Sequence, residues 1–133
     1  MTLSRQCVFY MCGEYGEQTR RPHYHACLFG VHFRSDMVLH AKSASGSFMY
    51  SSPSLERIWS HGFCTVQELV PETASYCARY IMKKALGQNA LSAYQTVTED
   101  GEIIQLVPEY ARMSLKPGVG ARWYERYSKS ISP

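Results

Sequence analysis

His23 and His25 are separated by one bulky residue, Tyr24, and lead directly into the apolar segment Ala26-Cys27-Leu28-Phe29. Alternate side chains of a β-strand share a face, so this spacing sets the two imidazoles side by side, one pleat apart. Two neutral imidazoles on one face can chelate a divalent ion when a third ligand arrives from elsewhere. The pattern also fits two ordinary histidines at a strand mouth, and the other reactive groups have to decide between the two.

A second chemical signal lies in the segment from Pro71 to Leu86. Wound as a helix at about 100° per residue, it separates into two sides. Ala74, Ala78, Ile81 and Ala85 gather on one side, small enough to lie close against a sheet. Tyr76, Arg79, Tyr80 and Lys83 gather on the other, with Lys84 at its edge. An unassisted phenol, with a pKa near 10, is a poor nucleophile at neutral pH. A neighbouring cation favours the phenolate and can also bind a phosphate under attack. A divalent metal would polarise that phosphate and stabilise charge on the leaving oxygen. Phenols four residues apart also occur where they merely pack on a sheet edge.

These residues need elements to position them. Gln6 to Tyr15 is apolar and β-prone and predicts a strand, the polar stretch Gly16 to Pro22 a loop, and His23 to Phe33 a second strand. So short a loop implies an antiparallel hairpin. Apolar residues on both faces after the histidines predict that the second strand is central. Arg34 to Ser52, with its run of serines, predicts an exposed loop. Ser52-Pro53-Ser54-Leu55-Glu56 has a capping serine, proline in the first turn and an acid behind it, so a short helix begins there and closes at His61-Gly62. Phe63 to Leu69 predicts a third strand, Pro71 to Leu86 the tyrosine helix, and Ala93 to Val107 a hairpin turning at Glu99-Asp100-Gly101. A loop at Lys116 to Gly120 and an aromatic helix over Arg122 to Tyr127 complete the chain.

At 133 residues, 45% hydrophobic and 19% charged, the sequence fits one globular α+β domain. It holds no apolar run long enough to span a membrane and no signal-peptide pattern. The five cysteines form no C-x-x-C pair and sit mostly in apolar segments, which predicts reduced, buried thiols. The net charge of +3 is only mildly basic. Its placement says more, because Arg20-Arg21, Arg79 and Lys83-Lys84 lie beside aromatics or glycines, a mix that suits a nucleic-acid backbone and its bases.

Cys12-Gly13-Glu14-Tyr15-Gly16, Arg21-Pro22-His23-Tyr24-His25-Ala26-Cys27-Leu28-Phe29-Gly30, Gly62-Phe63 and Tyr76-Cys77-Ala78-Arg79-Tyr80-Ile81-Met82-Lys83-Lys84 together resemble the replication initiators of small single-stranded DNA phages. The similarity is to the gokushovirus branch of the Microviridae, within the HUH (His-hydrophobe-His) endonucleases. It covers roughly Tyr10 to Tyr127. The resemblance implies a central antiparallel sheet flanked by helices, an RRM-like palm, in one domain over residues 1–133. It implies metal-dependent nicking and joining of single-stranded origin DNA in rolling-circle replication, inside the cytoplasm of a bacterial host. His23 and His25 would be metal ligands for Mg²⁺ or Mn²⁺, Tyr76 and Tyr80 paired nucleophiles, and Lys83 the lysine that follows them. Arg20, Arg21, Arg79 and Lys84 would meet the DNA. A 5′-phosphotyrosine would conserve the phosphodiester energy, in keeping with a sequence that has no P-loop.

Related enzymes carry an acidic or amide ligand ahead of the HxH pair, which here points to Glu14, with Glu17 in reserve. Strand register decides: Tyr15 opposite His23 would turn Glu14 to the wrong face, and a shift of one residue would bring it back. Initiators of this type also carry an earlier Thr-Leu-Thr-like strand. Its absence here predicts a sheet lacking its usual first strand, as in an N-terminally truncated form, with an open edge suited to a homodimer. Host replication proteins are further partners implied by the resemblance. The competing reading is a non-catalytic single-stranded DNA-binding or assembly partner of the same fold. A structural metal site built on His23, His25 and Cys27 is a third.

Overall fold

The computed structural model describes residues 7–16, 18–82 and 94–131, with the backbone alone for 80–82. The expected α+β class is observed: antiparallel sheets accompanied, among the described residues, by three helices. The principal sheet has three strands, β1 (Val8–Tyr15), β2 (Pro22–Phe29) and β7 (Tyr110–Met113), in the order β2-β1-β7. β1 and β2 form the expected hairpin. Its loop is closed by the Gly16 amide donating to the Arg21 carbonyl at 3.0 Å and the Arg20 amide to the Gly16 carbonyl at 2.9 Å. Arg20 takes a left-handed backbone conformation, φ 52°, to make that turn.

The central strand is therefore β1, and β2 lies at the edge, which corrects the order expected from its apolar residues. Side-chain pattern reports what covers the faces of a strand and is blind to whether its backbone has a neighbour on each side. Among the described residues the outer edge of β2 has no strand partner.

The pairing gives the sheet two chemically distinct faces. Gly13 lies opposite Tyr24, Glu14 opposite His23 and Cys12 opposite His25. One face, here called the front, accordingly carries Tyr10, Cys12, Glu14, His23, His25 and Cys27. The back carries Met11, Gly13, Tyr15, Tyr24 and Ala26, continued onto β7 by Tyr110 and Arg112, which pair with Gly13 and Met11.

Two expectations fail in the middle of the chain. Residues 34–52 are not a loop but contain a hairpin, β3 (Val38–Lys42) with β4 (Phe48–Ser51), turned by the serines and glycine between them. Conversely, Phe63 to Leu69 is not a strand. It contributes a single bridge, Val66 to Tyr50, because no neighbouring chain continues the ladder. The helix expected next is α1 (Pro53–Trp59), capped as read by Ser52, whose hydroxyl accepts the Leu55 amide at 3.3 Å. Ser52 is fully buried, and its hydroxyl donates to Asp36 Oδ1 at 2.7 Å, while Asp36 Oδ2 accepts the Ser54 amide at 2.7 Å. These bonds, the one from Ser52 foremost, hold the Asp36 carboxyl below its usual pKa. α1 closes at Ser60 in a left-handed conformation, φ 51°, just ahead of His61-Gly62.

The tyrosine helix is α2 (Pro71–Met82), and the described residues resume with the expected hairpin of β5 (Gln95–Val97) and β6 (Ile103–Gln105). β7 follows, a strand whose four residues carry no alternation strong enough to announce it. α3 (Ala121–Ile131) extends past the aromatic segment expected at 122–127. Among the described residues no helix is long and apolar enough to cross a membrane.

Candidate functional site

The front face and α2 together form the site. α2 is laid on the sheet by a thiol layer. The Cys12 Sγ, on the central strand and 1% exposed, donates to the Cys77 carbonyl at 3.4 Å, and Cys27 is buried beside them. Burial pushes the Cys77 thiol up to about 12, with Cys27 adding to the shift. Burial also raises Cys12, as does the Glu14 carboxylate on the same face. These thiols stay protonated at neutral pH and act as small apolar packing. The thiol of Cys27 is spent in this layer, which removes the basis for a structural metal site built on His23, His25 and Cys27.

The layer also corrects the expected orientation of the helix. Its side toward the sheet runs through Thr73, Ala74 and Cys77, whereas Ala78 is exposed. The sequence wheel placed Ala78 inward because alanine is small. The sulfurs of Cys12 and Cys27 select cysteine as the closest neighbour, and α2 turns accordingly.

That rotation brings Tyr76 to the histidines. Its ring meets the ring of His25 edge to face, with centroids 5.8 Å apart, and its side chain remains 54% exposed. The observed register puts Glu14 on the histidine face, and its Oε1 lies 3.2 Å from His25 Nε2. The pair is shielded, with side-chain exposures of 24% for His25 and 11% for Glu14. A carboxylate at this depth, hydrogen-bonded to an imidazole, is fixed in direction and has a second oxygen to offer.

His23 stands across from Glu14 but does not complete a preformed cluster. Among the described residues no group of three or more His, Cys, Asp and Glu side chains is arranged to hold a metal ion. The cause is local. The His23 ring rests against Gly16, where an added Cβ would lie 2.8 Å from its Cε1. Gly16 is thus required by the ring, a role legible only as the last glycine of Cys12-Gly13-Glu14-Tyr15-Gly16. One carboxylate and two imidazoles on one face remain an oxygen and nitrogen donor set suited to a divalent cation with open positions. What separates the observed arrangement from a three-donor site is the orientation of one ring.

The expected DNA-contacting residues divide between surfaces. Arg79 is exposed on α2 and Arg21 on the hairpin loop. The Arg20 guanidinium instead lies over the Tyr15 ring, 6.0 Å from its centroid, on the back of the sheet. The side chain of Tyr80, together with Lys83, Lys84 and Glu17, falls outside the described residues. Tyr10, a further phenol on the front face, is raised in pKa mainly by burial and then by the Cys12 thiol, which makes it a worse nucleophile than an ordinary tyrosine.

Residues 2–85 match the family of replication-associated proteins described under the name ORF2. The chain is 37% identical over 118 residues to the replication-associated protein ORF2 of Spiroplasma virus 4, covering 89% of this chain and 32% of that protein. It is 30% identical over 125 residues to the replication-associated protein VP4 of Bdellovibrio phage phiMH2K, covering 92% and 35%. Over 84 residues it is 32% identical to the replication-associated protein ORF4 of Chlamydia phage 1. The chain spans about a third of the length of the first two relatives. No solved structure matches it.

Proposed function

The chain belongs to the ORF2 family of replication-associated proteins of small phages, and we propose that it is an HUH-type enzyme that nicks and rejoins single-stranded origin DNA through tyrosine. The observation that carries this reading is the Glu14–His25 pair, 3.2 Å apart, with the ring of Tyr76 against the same imidazole. A carboxylate, two imidazoles and a phenol presented from a rigid helix are the groups a phosphoryl transfer needs in one place.

Glu14, His23 and His25 would hold Mg²⁺ or Mn²⁺, and the bound ion would polarise the scissile phosphate. Tyr76, partly exposed on α2, is the attacking group. Its oxygen forms a bond to phosphorus, the bond to the 3′ oxygen breaks, the phenol proton passes to solvent and the departing oxygen takes up a proton. The products are a 5′-phosphotyrosine and a free 3′-hydroxyl. Tyr80, one helical turn away, repeats the step on the regenerated origin, so that rejoining releases a circle. Arg79 and Lys83 neutralise the strand, with Arg21 and Lys84 further out. The open edge of β2 offers a surface for a second copy, and host replication proteins in the bacterial cytoplasm would extend the strand.

Incubation with origin-containing single-stranded DNA and Mn²⁺ should give a covalent adduct that survives denaturation and maps to Tyr76 or Tyr80. DNA binding without any adduct would instead establish the non-catalytic reading.

A further inference from the structure

The back of the three-stranded sheet carries a row of aromatic rings that the nicking chemistry does not use. Tyr24, the residue between the two histidines, points away from them and is 45% exposed. It sits opposite Gly13, and Gly13 in turn sits opposite Tyr110. A Cβ on Gly13 would lie 3.3 Å from the Tyr24 ring and 3.1 Å from that of Tyr110. The glycine therefore lets two phenol rings close over the central strand. The row continues at both ends. On one side the Trp59 indole, from the end of α1, meets Tyr24 edge to face with centroids 5.0 Å apart. On the other, the exposed Arg112 guanidinium lies 5.5 Å from the centre of the Tyr110 ring.

We propose that this face is a second binding surface for single-stranded DNA, on which Tyr24, Trp59 and Tyr110 stack bases while Arg112 and Arg20 neutralise the phosphates beside them. Two observations select this occupant over an apolar partner. The row runs across the strands, about 5 Å from one to the next, so three strands and the end of α1 give room for two or three bases. And the rings are interleaved with cations, because Arg112 lies over Tyr110 and Arg20 over Tyr15, at 5.5 and 6.0 Å. A guanidinium stacked on a phenol by its flat face still carries its charge and its N–H edge to a phosphate alongside. The carboxylate closest along the chain, Glu109, accepts the Tyr15 amide at 3.0 Å and the Tyr94 hydroxyl at 3.4 Å and is occupied at the sheet's end. A surface of this kind takes any base, since every base has a π-face. The choice of DNA as the strand rests on the proposed function; the residues are independent of it.

The test is the affinity of the whole chain for a fluorescent oligothymidine, which contains no origin. Tyr24→Leu and Tyr110→Leu should each raise Kd roughly 5- to 150-fold, the range expected for loss of one base-stacking ring. Arg112→Ala should lower the salt slope by about one. Kd within about twofold of the parent in both tyrosine variants overturns the proposal. So does a Tyr24→Leu variant that loses a dimer while keeping its DNA affinity, since a second copy would then be the occupant. Photo-crosslinking an iodouridine-substituted strand to the unaltered chain avoids any folding defect. Crosslinks at Tyr24, Trp59 or Tyr110 support the surface, and crosslinks confined to α2 overturn it. The two readings fail separately. Ring-dependent thymidine binding without an origin adduct removes only the nicking, and an adduct with ring-independent binding removes only the second surface.

Discussion

On the front of the three-stranded sheet Glu14 and His25 are drawn together beneath a helix, with His23 beside them. On the back, Tyr24, Tyr110 and Arg112 lie open beside Trp59. Both sets come from the same residues in sequence, read alternately: Gly13-Glu14-Tyr15 on one strand and His23-Tyr24-His25 on the other. The difference between them is burial. The front is covered by α2 and shields a carboxylate to 11% exposure, which fixes its direction. The back is left wet, which suits rings and guanidinium groups that act on a partner arriving from solvent. Period-two alternation lets one hairpin supply a reaction site and a gripping surface a strand's thickness apart.

That comparison can be broken by perturbing one face and reading both. The largest effect is expected from Tyr76→Phe/Tyr80→Phe, which should reduce nicking of an origin strand by at least about 10³-fold. Oligothymidine affinity should stay within about twofold. A denaturing gel and an anisotropy titration read the two faces. A parallel loss of both would mean that they are a single surface.

Glu14→Gln keeps the shape of the side chain and removes its charge. Mn²⁺ affinity by calorimetry should drop by about 10- to 100-fold or more, as happens when a metal's carboxylate partners are altered. Unchanged Mn²⁺ binding would leave Glu14 as a hydrogen-bond partner of His25 and nothing else.

The two glycines sharpen the contrast. In Gly16→Ala the new Cβ would meet His23 at 2.8 Å, and in Gly13→Ala it would meet Tyr110 at 3.1 Å and Tyr24 at 3.3 Å. Each should destabilise the fold by about 1–3 kcal/mol in chemical denaturation. Gly16→Ala should impair Mn²⁺ binding alone, and Gly13→Ala thymidine binding alone.

The smallest effect concerns pH. The folded Cys77 thiol lies above its usual value of 9.0, at about 12, because ionisation under α2 is opposed by burial. Its contribution is complete below the unfolded pKa and is lost as pH rises toward the folded one. Urea midpoints should therefore fall between about pH 9 and pH 12, and Cys77→Ala should flatten that decline.

Much of the front face could be read in the sequence because its signals are local. The hairpin follows from two β-prone runs around a short loop, and Ser52-Pro53 marks α1 by cap chemistry. The register that makes Glu14 a candidate could not be read. Either register satisfies the same loop, and only the formed ladder separates them. β7 escaped notice because its pairing with β1 spans most of the chain. The hairpin of β3 and β4 was hidden by Val38 and Leu39, apolar residues left exposed on an outlying ribbon, so no buried face imposed a pattern. Phe63 to Leu69 has a strand's composition, but composition does not supply a neighbour. The aromatic row escaped for a related reason: Tyr24, Trp59 and Tyr110 are far apart in sequence, and Gly13, which allows two of them to meet, is a residue without a side chain.

Asp36 acquires a meaning from this arrangement that its distance from either face conceals. Its two oxygens grip the first turn of α1 through the Ser52 hydroxyl and the Ser54 amide, both at 2.7 Å. α1 has seven residues, about two turns, and Trp59 is the last of them. The helix is a short lever: a carboxylate clamps one end, and the other carries an indole against Tyr24. Protonating Asp36 loosens the clamp. Because its folded pKa is depressed, the grip is whole above the ordinary carboxylate range and slackens only as acid carries the solution through that lower value. Across the physiological range, the angle between the indole and the phenol is set by an ion at the far end of the helix.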